Sequence, residues 1–155
     1  MSNDERTTPL ELFVVLETLY GPFSLDVAAR AHNSLLPLFC TDGLVEPWAD
    51  RNWCNPPYSR GQLTRWMHKA AKEASAGKSS LCLIPAAVGT RWFLENVVEL
   101  SARMVFLVGR VPFGNGAGSD DETGAKFDSC VALFGPAFED LQLVSWLDWK
   151  AWLKP

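Results

Sequence analysis

Residues 79 to 86 read SSLCLIPA, and this run limits the fold more than any other stretch. Apolar side chains occupy consecutive positions, so neither face of an extended segment is left for water. A strand of this kind needs cover on both sides, as in a sheet with helices packed on two faces. The preceding residues supply one cover. Leu63, Trp66, Met67, Ala70, Ala71 and Ala74 recur at helical spacing, with Ser59 as a candidate N-cap and Gly77 as the stop.

The same alternation runs along the chain. Thr8-Pro9-Leu10-Glu11 has the form of a capping box, and Leu12, Phe13, Leu16 and Leu19 continue it as a helix ended by Gly21-Pro22. Residues 22 to 29 read as a short strand ending near Asp26, followed by a short helix over 28–35 and a strand in Pro37–Asp42. RNWCNPP, starting at Arg51, closes another strand, because Pro56-Pro57 cannot continue one. Thr90 caps a helix that turns Trp92, Phe93, Val97 and Leu100 inward, and residues 103–109 and 128–135 are two further strands. Between those two, residues 114–126 are rich in glycine and acid and are expected to form a mobile loop. Leu141, Val144, Leu147 and Ala151 predict a final helix over 138–153. The expectation is one α/β domain spanning residues 1–155, with a mostly parallel sheet and an antiparallel hairpin on the C-terminal side. Ligands in such sheets sit at the carboxyl ends of the strands, where Asp26 and Asn55 both fall.

Composition excludes several classes. With 48% hydrophobic and 21% charged residues the chain is an ordinary globular one. No apolar run reaches membrane-spanning length, and MSNDERTTP has no secretory core, so the cytoplasm is the expected location, that of the host cell for a phage-encoded protein. A net charge of −4 is not the footprint of bulk electrostatic attraction to nucleic acid, although a local basic face remains open. Cys40, Cys54, Cys82 and Cys130 form no CxxC pair and read as reduced and buried, and no metal site is expected.

Asn55-Pro56-Pro57-Tyr58 matches the [D/N/S]-P-P-[Y/F/W] motif of amino-group methyltransferases that use S-adenosylmethionine. The chemistry accounts for the residue types. An exocyclic amine on a base is a weak nucleophile because its lone pair is delocalised into the ring. The Asn55 oxygen and the Pro56 carbonyl can each accept one N–H, which favours a pyramidal nitrogen, and the prolines hold the acceptors still. Tyr58 offers a face on which an extruded base can stack.

The chain also resembles the phage-type DNA N6-adenine methyltransferase family from about Phe23 to Phe134. The matching pieces are FSLDVAA (23–29), DGL (42–44) with Trp48, WCNPPYS (53–59), and Trp66 with Lys69-Ala70. They continue with LIPA (83–86), TRWF (90–93), GRVPF (109–113) and FDSCVALF (127–134). The resemblance implies a Rossmann-like class I methyltransferase fold, reduced in size, that uses S-adenosylmethionine to methylate adenine N6 in DNA. It implies Asp26, with Val27 and Ala28, as the acidic part of the cofactor motif, although DVAARAHN replaces the usual glycine-rich turn.

Other candidates remain paired with plainer readings. Asp42 suits the ribose hydroxyls or a simple turn before Gly43. Arg60 and Arg91, with Ser59, stand near the rim, where they meet substrate phosphates or merely solvent. Cys54 reads as packed core, and His68 as a surface residue. The alternative functions are methylation of another planar nitrogen (protein glutamine, RNA guanine or cytosine N4) and an inactive binding module of the same fold. Asparagine at the first motif position favours adenine over cytosine. Recognition of DNA sequence is expected to be short or loose, because the loop carries Asp120, Asp121 and Glu122 and the sheet and helices take up most of the chain. The sequence leaves the oligomeric state open.

Overall fold

The computed structural model describes residues 6–59, 61–114 and 127–155. In chain order these form α1 (Leu10–Tyr20), β1 (Leu25–Asp26), β2 (Arg51–Cys54), α2 (Gln62–Ser75) and β3 (Ser79–Pro85). They continue with α3 (Arg91–Phe93), which widens into a π-helical segment Leu94–Val98, then β4 (Arg103–Leu107), β5 (Ser129–Phe134) and β6 (Val144–Leu147). The strands make one six-stranded sheet in the order β1-β2-β3-β5-β4-β6. β1 with β2, β2 with β3 and β4 with β6 are parallel, and β5 runs against both of its neighbours. Five strands therefore point one way, and β4 and β5 form the expected antiparallel pair.

Strand alternation assigns the two faces. Leu81, Leu83, Val105, Val131 and Leu133 join α1 and the C-terminal Trp149 in one apolar layer. Their neighbours Cys82, Ile84, Met104, Cys130 and Ala132 pack on Trp66, Met67 and Ala70 of α2 and on Phe93 and Val97. This is the two-sided cover that the run at 79–86 requires. Thr90 caps the helix after β3 as expected, its hydroxyl accepting the Phe93 N–H at 3.1 Å.

Four expected elements are different. Residues 28–35 form turns, not a helix. Asn33 Oδ1 accepts the Arg30 N–H at 2.7 Å and Asp26 accepts that of Leu35 at 3.0 Å, so side chains take the amides that a helix would use. The strand expected in Pro37–Asp42 shrinks to a single parallel bridge between Asp26 and Phe39. α2 starts at Gln62, not at Ser59: Gly61 stands before it at φ 83°, a left-handed turn that costs glycine little. The helix expected over 138–153 is replaced by β6 and the 3₁₀ turn Trp149–Leu153. There the open edge of β4 offers a ladder to Val144–Leu147, and tertiary pairing outweighs the helical spacing. Residues 115–126, nearly all of the expected loop, lie outside the described residues.

Asn52 stitches the start of β2 to its surroundings. It is wholly buried, its Nδ2 donates to Ala49 O at 2.8 Å and Ser79 O at 3.0 Å, and its Oδ1 accepts the Ala49 N–H at 2.8 Å. Asn52→Ala leaves these backbone groups unpaired and should cost about 2–4 kcal/mol. Urea unfolding of the variant against the parent checks this.

Candidate active site

The carboxyl ends of β1, β2, β3 and β4 lie along one edge of the sheet. Register puts Asp26 beside Trp53 and Cys54 beside Cys82. Asn55 therefore leaves β2 next to the end of β1, and Pro56 and Pro57, with no N–H to give, release the chain from the ladder. Asp26 and Asn55 both line a narrow space of about 40 Å³, shared with Thr8, Ala28 and Ala29. Val27, Ala28, Asp42 and Pro57 line a second cavity of about 270 Å³. Ala28 and Ala29 belong to both linings, so the two spaces flank one short backbone segment.

The Asn55 side chain has defined partners on one side only. Its Nδ2 donates to Arg6 O at 3.2 Å and to Thr8 Oγ1 at 3.0 Å. Its Oδ1 is buried with no partner among the described residues. The amide assignment is fixed by chemistry, because a backbone carbonyl such as that of Arg6 can only accept. The nitrogen is thus anchored and the oxygen is left as an acceptor on the other side of the amide.

Asp26 is 4% exposed. Burial raises its pKa from 3.8 to about 6, against the N–H groups of Leu35 and Ala28 and the Ser34 hydroxyl, which favour the ionised form. In the larger cavity Gly43 is required by space: a Cβ there would collide with the Val27 carbonyl and the Trp66 ring. The Trp48 indole locks the same turn by donating to Gly43 O at 2.7 Å. Asp42 is exposed at this turn, with one oxygen accepting the Leu44 N–H at 3.2 Å. The Trp66 Nε1 is buried and has no partner among the described residues.

Tyr58 is half-buried, and its hydroxyl donates to Leu83 O at 2.7 Å. Burial holds its phenol well above the ordinary pKa, so it is no proton carrier. Its ring meets Phe113 and Phe127 edge-on at 6.1 and 5.9 Å. The Arg6 guanidinium lies among all three rings, 5.3 Å from the Tyr58 centroid and 4.8 Å from that of Phe127. Thr7 pairs with Gly114 through N–H···O bonds of 3.1 and 3.0 Å. The N-terminal segment therefore crosses the carboxyl edge of the sheet and covers the motif.

Not every sequence candidate converges here. Arg91 is exposed, ion-paired with Glu95 at 3.6 Å, and lines a separate groove with His68 and Trp92. Ser59 is exposed just beyond the motif, and Arg60 lies outside the described residues. Cys54 is wholly buried; burial first, then the neighbouring Cys82 thiol, raises its pKa far above the ordinary value and keeps it protonated. No cluster of three or more metal-ligating side chains occurs among the described residues, and none of their helices is long and apolar enough to cross a membrane. Sequence reading missed Arg6, Phe127 and the Asn55 partner Thr8. The rings at 113 and 127 stand in the matching pieces GRVPF and FDSCVALF, but nothing in those letters says that they meet Tyr58.

The profile of the DNA N-6-adenine-methyltransferase (Dam) family matches residues 1–151. A DNA N-6-adenine-methyltransferase of Escherichia phage T1 is 33% identical over 105 residues, which cover 63% of this chain and 43% of that protein. The match thus spans less than half the length of the phage relative.

Asp26 makes stability depend on pH in a definite direction. Its folded pKa of about 6 lies above the ordinary 3.8, so the folded state holds the proton more tightly. Its contribution is complete below about pH 4 and is lost as the pH rises through 6, a change of at most about 3 kcal/mol. Asp26→Asn should flatten the stability profile between pH 4 and 7 and leave the protein no less stable at pH 8. Denaturant titrations across that range test it.

Proposed function

The chain belongs to the DNA N-6-adenine-methyltransferase family, and from that premise we propose that it transfers a methyl group from S-adenosylmethionine to the N6 amino group of adenine in DNA. The observation that carries this reading is the Asn55 amide: its nitrogen is anchored and its oxygen is buried without a partner among the described residues. An unpaired buried acceptor is costly, and an adenine amine is a donor that fits it.

The sheet supports a Rossmann-like class I arrangement, with parallel β1–β3, a reversed strand between β3 and β4, and cavities at the carboxyl edge. The residues there also fit the methyl donor. The 270 Å³ cavity, with Asp42 at the Gly43 turn and Pro57 opposite, suits the nucleoside end, and a carboxylate accepts both hydrogen bonds of a diol. Asp26, beside the narrow space that contains Asn55, suits the cationic methionine end. Bound there, S-adenosylmethionine would supply a methyl group on a positively charged sulfur, activated for transfer to the adenine nitrogen.

The chain's own part is orientation. Asn55 Oδ1 and the Pro56 carbonyl accept the two amine hydrogens, and the paired prolines keep those acceptors in place during the step. Tyr58, fixed by its bond to Leu83, gives the base an aromatic face, and a base stacked there displaces the Arg6 guanidinium. The buried Cys54 thiol takes no part, since direct transfer needs no covalent enzyme intermediate.

Incubation with labelled S-adenosylmethionine and DNA, followed by mass spectrometry of nucleosides, tests the reading. N6-methyladenine is expected. Label found mainly in N4-methylcytosine, RNA or protein glutamine overturns the substrate, and failure to bind the cofactor in calorimetry indicates an inactive module. Asn55→Ala should lose on the order of 10²-fold or more in turnover while cofactor affinity stays near normal.

Asp26 gives a second expectation. A cation beside it binds best to the ionised form, so cofactor affinity should fall about tenfold per unit as the pH drops below about 6. Asp26→Asn should bind more weakly at pH 8 and lose that dependence. A pH-independent affinity in the parent protein moves the cationic end elsewhere.

A further inference from the structure

We infer that Thr8 is a positioning residue for methyl transfer, acting through the amide of Asn55. Thr8 precedes α1 with the spacing of a helix cap, yet α1 has no side-chain cap. Its hydroxyl oxygen instead takes an amide hydrogen of Asn55 at 3.0 Å, and Thr8 is only 8% exposed. The second amide hydrogen goes to Arg6 O at 3.2 Å. Both hydrogens of Nδ2 are thereby used, which leaves Oδ1 as the atom on the far side.

The arrangement carries information that one bond alone does not. A primary amide can turn over by half a rotation about its last side-chain bond, which exchanges its oxygen and nitrogen. Turned over, Asn55 would present N–H groups to the target amine, and donor would face donor. The Arg6 carbonyl can only accept and would face the turned oxygen, and the Thr8 hydroxyl would have to reverse its hydrogen bond, so that state is unfavourable. The acceptors are themselves held, because Thr7 is paired with Gly114 in both directions and Pro9 O accepts the Phe13 N–H at 3.1 Å at the start of α1. Thr8 thus helps to set which atom of Asn55 meets the substrate, acting through that amide.

The inference rests on the reading of Asn55 as the amine-orienting residue, and the test separates the two. Thr8→Val keeps the shape of the side chain and removes the acceptor. Its kcat should fall about tenfold or more, less than for Asn55→Ala, while KM for DNA and cofactor affinity change little. Thr8→Ser, which keeps the hydroxyl, should recover most of the rate. Thr8→Ala reports the same loss should the valine variant not fold. In an Asn55→Ala background Thr8→Val should have almost no further effect, because its influence passes through the missing amide. A parent protein that makes no N6-methyladenine overturns the reading of Asn55 and this inference with it. An active parent with normal kcat in Thr8→Val, or with losses that simply multiply in the double variant, overturns this inference alone.

Discussion

An amide oxygen buried without a partner costs roughly 1–3 kcal/mol, and among the described residues Asn55 Oδ1 is such an atom. Everything around it serves to keep it there. β2 is held between two parallel neighbours, and Asn52 ties its start to Ala49 and Ser79. Trp53 is clamped by Phe13 of α1, ring edge to ring face with centroids 4.9 Å apart, and by Phe23 at 5.9 Å. The strand end therefore has little freedom, and the two prolines remove more. The residual freedom of the side chain is taken by the segment Arg6–Thr8. Hydrophobic packing fixes the backbone, and two hydrogen bonds fix the amide.

The same edge organises the rest of the proposed chemistry. Parallel strands bring their carboxyl ends together, so residues as far apart in sequence as Thr8, Asp26, Asp42 and Asn55 come to line adjoining spaces. Close packing of Gly43 on Val27 and Trp66 gives the larger cavity a firm wall without a glycine-rich loop after β1. A net charge of −4 argues that the proposed affinity for DNA is not a matter of bulk charge. Local contacts at the motif have to contribute more, and the aromatic group formed by Tyr58, Phe113 and Phe127 already accommodates a flat cation, the Arg6 guanidinium.

Much of this was legible in the sequence because it depends on local pattern. Consecutive apolar residues in SSLCLIPA and DSCVALFG admit little but buried strands. The spacing from Leu63 to Ala74 admits little but a helix packed on one face. Asn55-Pro56-Pro57-Tyr58 stands out because prolines have few uses at a strand end. The misreadings have a common cause. Over 28–35 and 138–153 the local pattern is weak, and distant partners decide: Asp26 captures the Leu35 amide, and β4 recruits Val144–Leu147. Thr8 was misread because a hydroxyl before a helix serves a cap and a remote amide equally well. Arg6 gives no local signal, since its three rings come from residues 58, 113 and 127.

The central claim is that the fold presents the Asn55 oxygen, and not its nitrogen, to the reacting amine. A high-resolution crystal structure with S-adenosylhomocysteine and an adenine-containing oligonucleotide tests it most directly. The account predicts adenine N6 within hydrogen-bond distance of Asn55 Oδ1 and the Pro56 carbonyl, with Asn55 Nδ2 still bonded to Thr8. An adenine held elsewhere, or an Asn55 amide turned so that its nitrogen faces N6, would contradict it.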